Sequence, residues 1–284
     1  MVHCKFKTTR EQDRMSTTAT DIADNAAKAV LLREDVAGIC TLTLNRPHQY
    51  NALSEDLIEA LHQALDAIAA DRSVRVVVIT GAGRGFCAGH DLKEMHAHAQ
   101  QSYFDDLFSR CNRMMQSIVT LPQPVIAKVH GLATANGCQL ISICDLAVAA
   151  DSAQFALCGV KLGLFCSTPS VGVSRNILRK RAFELLVTGA FVDAHTAVKD
   201  GLINRAVPED RLDAEVTRLA ESIVANPASA IEIGKKMFYR QLELDLEEAY
   251  DYAGGVMAGN MMEEDAREGI AAFLEKREPR WRGS

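Results

Sequence analysis

The chain lacks an excess of positive charge. Its 31 Lys and Arg are outnumbered by 37 Asp and Glu, for a net charge of −6. That argues against a nucleic-acid binder, which usually carries a basic field. Long apolar runs are also missing: the hydrophobic stretches are short and interrupted, so no membrane-spanning helix is expected. None of the eight cysteines form a CxxC pair, and several sit inside apolar runs, where a reduced Cys behaves as a small hydrophobe. This composition points to a reducing compartment and a cytoplasmic protein rather than a disulfide framework. Heptads, internal repeats and a Pro/Gly/Ser linker are absent, so one core unit is favoured over separate domains.

What is present suits a globular protein. At 284 residues, 48% hydrophobic and 24% charged, the chain can bury a sizeable core. Residues 1–29 differ: they are polar, lack a core-forming period and have no apolar signal region. Arg10 and Arg14 are offset by Glu11 and Asp13, so the expectation is a disordered N-terminal extension, with Met15 an alternative start to Met1.

From Val30 onward strands and helices alternate. AVLLRED and GICTLTL read as two strands joined by a turn at Asp35–Gly38. Ser54 caps a helix whose apolar residues Leu57, Ile58, Leu61, Leu65 and Ile68 follow helical spacing. VRVVVITG is a continuous β-branched run, as in a strand buried on both faces. A helix follows around Tyr103–Leu121, then strand PVIAKVH, a helix near Gly137, strand CDLAVAAD and a short strand at Ala153–Phe155. Helices are expected at Arg181–Thr188, Ala194–Asp200, Arg211–Ala225, Pro227–Gln241, Leu246–Met262 and Asp265–Lys276. The fold class is α/β, with a core over 30–210 and a helical region over 211–284.

Two loops that follow buried strands carry the chemistry. GAGRGFCAGHD, Gly81–Asp91, fits neither a dinucleotide fingerprint nor a P-loop. Its glycines either simply turn the chain or leave the Ala88–His90 backbone open to a ligand. GLATANGCQL, Gly131–Leu140, runs into a helix, whose first amides have no internal partner. An amide near Asn136 is therefore a suitable donor to a developing oxyanion.

The stretches TLNRPHQYNALS, VVVITGAGRGFCAGHDLKEM, PVIAKVHGLATANGCQLISICDLAVAAD, LLVTGAFVDAHTAVKDGLINRAVP and EGIAAFLEKREPRW resemble the crotonase superfamily of enoyl-CoA hydratases and isomerases. They lie in order from about Ala29 to Trp281. The resemblance implies a spiral of β-β-α units with a C-terminal helical trimerisation region, assembled as a homotrimer or a dimer of trimers. It implies lyase or isomerase chemistry of fatty acid metabolism on an acyl-CoA thioester, whose CoA enters as part of the substrate, with no separate cofactor and no metal. The thioester oxygen would accept the backbone amides of His90 and Asn136; the family usually has Gly at the latter. Gln49 to Leu53, Ala88, Asp91, Leu92 and Lys93 match the family's CoA channel. Phe273 and Lys276 match a terminal helix that touches CoA on a neighbouring subunit.

The same resemblance exposes two departures. Gln139 and Gly159 stand where the family hydratases carry their carboxylates. General acid–base catalysis contributes about 10²–10⁴-fold per positioned group, so standard hydration is expected to be weak or absent. Turnover, non-catalytic acyl-CoA binding or chaperoning, thioester hydrolysis and decarboxylation all stay open. The departures resemble the enoyl-CoA hydratase domain-containing subgroup, which lacks both glutamates. Restoring Glu at 139 and 159 is expected to restore hydration. His90 is the best substitute base, though its amide alone can account for its place in the motif. Lys161, Cys138 and Cys158 are weaker candidates. His130 is expected to pack at a strand end, and Asp145 to order a helix–strand junction. The group Asp91, Glu94, His96 and His98 has no counterpart among the family's sites.

Overall fold

From β3 onward the chain winds as a spiral that visits two sheets in turn. A computed structural model describes residues 29–282, so the expected extension lies outside the described residues apart from Ala29. Strands β1 (Leu31–Val36) and β2 (Ile39–Leu44) form the expected antiparallel pair, with Leu31 opposite Leu44. Helix α1 (Glu55–Ala69) starts where Ser54 accepts the Leu57 N–H, and it buries all five residues of the anticipated stripe. Next come β3 (Val76–Gly81), β4 (Gly85–Cys87), α2 (Leu92–Ala97) and α3 (Gln101–Thr120), then β5 (Val125–Val129), β6 (Leu132–Thr134) and α4 (Asn136–Ile143). The third turn holds β7 (Leu146–Ala150), β8 (Gln154–Ala156), α5 (Ser167–Asn176) and α6 (Arg179–Thr188). It is followed by β9 (Phe191–Asp193), α7 (Ala194–Asp200) and β10 (Arg205–Val207).

One sheet has the order β1-β2-β3-β5-β7-β10 and the other β4-β6-β8-β9. Each of the three β-β-α turns adds one parallel strand to each sheet. This is the crotonase spiral, followed by helices α8 (Leu212–Val224), α9 (Ala228–Gln241), α10 (Leu246–Asn260) and α11 (Glu264–Glu275). The unbroken apolar run of β3 has a direct cause. Val77 and Ile79 enter the main core, while Val76 and Val78 face a second cluster with Leu212, Val216 and Ala220 of α8. Helix α8 therefore packs on the sheet, and the helical region is continuous with the α/β core at its start.

Sequence patterning missed α5, because Pro169, Gly172 and three serines obscure its period. It also missed the three-residue strands β4, β6, β9 and β10 and the short α2, none long enough to show a repeat. Among the described residues no helix is long and apolar enough to cross a membrane.

Asp145 does more than order a junction. Its Oδ2 accepts the Val125 N–H and the Lys235 ammonium, each at 2.7 Å, and its Oδ1 accepts the Tyr239 hydroxyl at 2.8 Å. Lys235 also donates to the carbonyls of Ile118 (2.9 Å) and Gln123 (3.0 Å), so α9 is tied to the ends of α3, β5 and α4. Burial pushes the Lys235 ammonium below its ordinary pKa, and the Asp145 charge opposes that shift. Removing one partner of a buried pair strands the other charge. Asp145→Ala should cost about 3–5 kcal/mol in urea unfolding, and more than Lys235→Met, which leaves Asp145 two neutral donors. Equal small losses would contradict this account.

Candidate active site

The glycine-rich loop after β3 is organised by Asn51. This fully buried side chain accepts the Arg46 N–H at 2.9 Å and donates to the carbonyls of Ala82 (2.9 Å) and Gly85 (2.8 Å). Beyond β4 the loop is bracketed by Leu53, whose N–H donates to Gly89 O (2.7 Å) and whose carbonyl accepts the Asp91 N–H (3.1 Å). This parallel bridge turns the His90 N–H away from Leu53. Among the described residues that N–H meets no backbone acceptor.

The second loop approaches the first until backbone meets backbone. A Cβ on Gly137 would lie 2.1 Å from the Cys87 carbonyl oxygen, so only glycine fits. Gly89, at φ +99°, stands opposite: a Cβ there would lie 3.0 Å from Ala135 Cβ and 3.3 Å from Asn136 N. The unusual backbone angle belongs to Ala135 (φ 48°, ψ −113°), not to Asn136, which is the first residue of α4. As the first helical residue, Asn136 has no intrahelical acceptor for its N–H, and none is supplied from elsewhere among the described residues.

A cavity of about 400 Å³ opens between these loops. Ala88, His90 and Leu92 line it from one side and Ala135 and Asn136 from the other. Cys158, Gly159, Leu162 and the segment Leu164–Pro169, including the first turn of α5, close it. Sequence reading missed Phe108, Phe165 and Thr168 here; the last two lie in or beside the unforeseen α5. Among the described residues no carboxylate and no lysine lines the cavity.

The cavity gathers His90, Asn136, Gly159, Ala88 and Leu92 but not every anticipated contact. Ala88 donates its own N–H to Tyr50 O at 2.9 Å. Leu53 is 1% exposed and acts through its backbone. Burial alone would raise the Asp91 carboxyl, but the Arg46 guanidinium at 2.8 Å and the Lys93 N–H at 3.0 Å hold it below its ordinary value. Asp91 is thus a helix cap paired with Arg46 rather than a free ligand group. Gln49 and Lys93 are exposed outside the lining, as are Phe273 and Lys276 at the far end of α11.

The remaining candidates also find their places. Cys138 donates to Ala133 O at 3.1 Å, and burial raises its thiol well above the usual range, so it is a core residue rather than a nucleophile. His130 pairs with Gly83 O at 3.0 Å. Lys161 lies over the Phe191 ring, 5.8 Å from its centroid. Glu94 accepts the Glu55 N–H at 3.0 Å, and no group of three His, Cys, Asp or Glu among the described residues could hold a metal ion.

The two departures from the hydratase pattern are filled positions. Gln139 Oε1 accepts Asn136 Nδ2 at 2.7 Å. The Gly159 N–H donates to Cys166 Sγ at 3.3 Å. A Cβ at 159 would lie 2.8 Å from that sulfur and 2.9 Å from Leu164 O. The expected rescue by Glu at both positions therefore meets a steric barrier at 159.

A model of the enoyl-CoA hydratase/isomerase family matches residues 34–284. The chain belongs to this family. An enoyl-CoA hydratase domain-containing protein 3, mitochondrial, from Xenopus laevis is 43% identical over 244 residues, 86% of this chain and 83% of the relative. A crystal structure of an enoyl-CoA hydratase from Mycobacterium smegmatis shares 54% identity and a TM-score of 0.88, covering 89% of this chain and 98% of that one. The crystal structure of human enoyl-CoA hydratase domain-containing protein 3 shares 40% identity and a TM-score of 0.87, covering 89% and 100%. Five vertebrate relatives carry mitochondrial names. They overturn the cytoplasmic expectation: reduced, core-packed cysteines do not specify the cytosol.

Within this family site, two measurements follow from the packing. Both His90 ring nitrogens are buried without partners, and the ring meets Phe108 edge-on at 5.4 Å. Burial lowers its pKa to about 4. The unfolded chain protonates near 6.5 and the folded chain does not, so stability is full above about 6.5 and falls as pH drops toward 4. Urea unfolding across that window should show the decline in the native protein and a flatter profile in His90→Phe. Gly159→Ala should lose about 1–3 kcal/mol by overpacking, with part recovered in the double variant Gly159→Ala/Cys166→Ala. An unchanged melting curve for Gly159→Ala would show that the pocket yields.

Proposed function

We propose that this chain binds an acyl-CoA thioester and polarises its carbonyl between the N–H groups of His90 and Asn136. One observation carries the reading: two backbone donors without backbone acceptors open on a single cavity, on loops held in contact. Donors fixed before the reaction need no reorganisation as charge develops on oxygen, and each such donor is worth about 10²–10³ in rate. The family match and the names of the relatives support the acyl-CoA assignment. CoA enters with the substrate, and no separate cofactor is required.

Standard hydration is weak or absent in this reading, because the cavity lining offers no carboxylate to exchange protons with the substrate. Gln139 can position a group but cannot titrate near neutral pH. Chemistry that depends mainly on an oxyanion, such as thioester hydrolysis or decarboxylation, suits the site better, and a non-catalytic acyl-CoA carrier is the second reading. Gln49, Lys93 and the exposed end of α11 with Phe273 and Lys276 are assigned to the CoA moiety, the last two across a homotrimer or dimer of trimers. The exposed apolar residues Leu246, Tyr250, Met257 and Phe273 support such an assembly.

The test compares wild type, His90→Pro, which deletes the amide, and His90→Ala, which keeps it. Turnover of an acyl-CoA panel should fall about 10²–10³-fold in the proline variant and much less in the alanine variant. Binding by calorimetry with no turnover selects the carrier. Failure of every CoA ester to bind would end the acyl-CoA reading.

A further inference from the structure

A second cavity of about 230 Å³ adjoins the first. Thr168 lines both, and the Asn136–Gln139 hydrogen bond lies at the divide. The walls of the second cavity are of two kinds. Met115, Val119, Ile143 and Val171 supply apolar surface, while Asn112, Gln116 and Gln139 supply three carboxamides. Among the described residues no ionisable side chain lines it. Asn112 and Gln116 stand one helical turn apart on α3, next to the buried apolar stripe of Cys111, Met114, Met115 and Ile118. Among the described residues neither makes a side-chain hydrogen bond to protein, and neither does Gln139 Nε2, since only Gln139 Oε1 is engaged. Of the three, Gln139 is buried with its Nε2 unspent, Asn112 is half-buried and Gln116 is exposed at the open side of the space.

We infer that this cavity receives the distal part of the acyl chain, and that this part carries an uncharged oxygen such as a hydroxyl or keto group. The inference rests on the acyl-CoA reading above. Gln139 lies three residues along α4 from Asn136, a rise of about 5 Å. The two cavities share Thr168, so the route for carbons beyond Cβ of a thioester held at the Asn136 N–H runs past Gln139 into the second. A plain alkyl chain would take water from the Gln139 and Asn112 carboxamides and return no hydrogen bond. A terminal carboxylate would be desolvated with no cation to meet it. A neutral oxygen satisfies the groups present, and Gln139 and Asn112 become the residues that set specificity.

Calorimetry with hexanoyl-CoA, 5-hydroxyhexanoyl-CoA, 5-oxohexanoyl-CoA and adipyl-CoA tests this. Wild type should bind the hydroxy or oxo ester at least ~10-fold more tightly than hexanoyl-CoA, with adipyl-CoA weakest. The preference should collapse toward one in Gln139→Leu and also in Asn112→Leu. The second variant leaves the Asn136 contact intact and so separates recognition from disturbance of the first cavity. Equal affinities for the plain and oxygenated esters would overturn the inference while leaving the acyl-CoA reading in place, as would a preference that survives both substitutions. If no CoA ester binds at all, both fall together.

Discussion

The contact between Gly137 and the Cys87 carbonyl is the constraint around which the site is built. Strands β4 and β6 pair in parallel, with Gly85 opposite Leu132 and Cys87 opposite Ala133. Helix α4 begins two residues after β6, so its first turn must cross the end of β4. Any side chain at 137 would force the two apart. The same approach holds Gly89 against Ala135 and Asn136, and so brings the free His90 and Asn136 amides to one cavity. Ala135 bears the strain. Its φ of 48° with ψ of −113° is sparsely populated for a residue with a Cβ, and such a residue costs on the order of 1–3 kcal/mol. The Ala135 N–H donates to Ala156 O at 2.9 Å and its carbonyl accepts the Gln139 N–H at 3.1 Å, so strand β8 and helix α4 hold it there.

A frame able to hold strain must itself be rigid, and two features supply that. The main core unites α1, both sheets and α3 through fully buried residues such as Leu57, Ile79, Phe86 and Met114. Asp145, at the junction of α4 and β7, then gathers Val125, Lys235 and Tyr239. The C-terminal helices are thereby keyed to the element that carries Asn136. At the far end Trp281 donates to Ala225 O at 3.0 Å, which fastens the tail to the end of α8.

Long periodic elements were legible in the sequence because one period recurs several times, as in the α1 stripe and the β3 run. The three-residue strands β4, β6 and β9 repeat nothing, and the family resemblance, not periodicity, carried the spiral. The resemblance pointed to the His90 and Asn136 N–H groups, and the rule that a helix start leaves N–H groups unpaired accounts for the one at Asn136. The cavity walls were not. Thr168 belongs to a helix hidden by Pro169 and Gly172, and Phe108 reaches His90 from another element. The pairing of Asp91 with Arg46 was not legible either, because Arg46 lies 45 residues earlier and no local pattern reveals that pair.

Position 159 read as a vacancy, yet Cys166, seven residues on, fills the space and accepts the Gly159 N–H. Gln139 is likewise closed against the Asn136 side chain. Neither position is a bare gap, although the Gln139 Nε2 stays unpaired toward the second cavity. Each takes part in a hydrogen-bonded contact that contains no carboxylate. The polarity left to the first cavity comes from oriented amides, neutral hydroxyls and an imidazole that burial keeps uncharged near pH 7. Such a set cannot relay protons through carboxylates, and in the proposed function it acts on a charge that arises on the ligand's own oxygen. Under the proposed function, the chemistry the site supports is decided by what the acyl group brings, and this ties the identity of the acyl chain to the question of turnover.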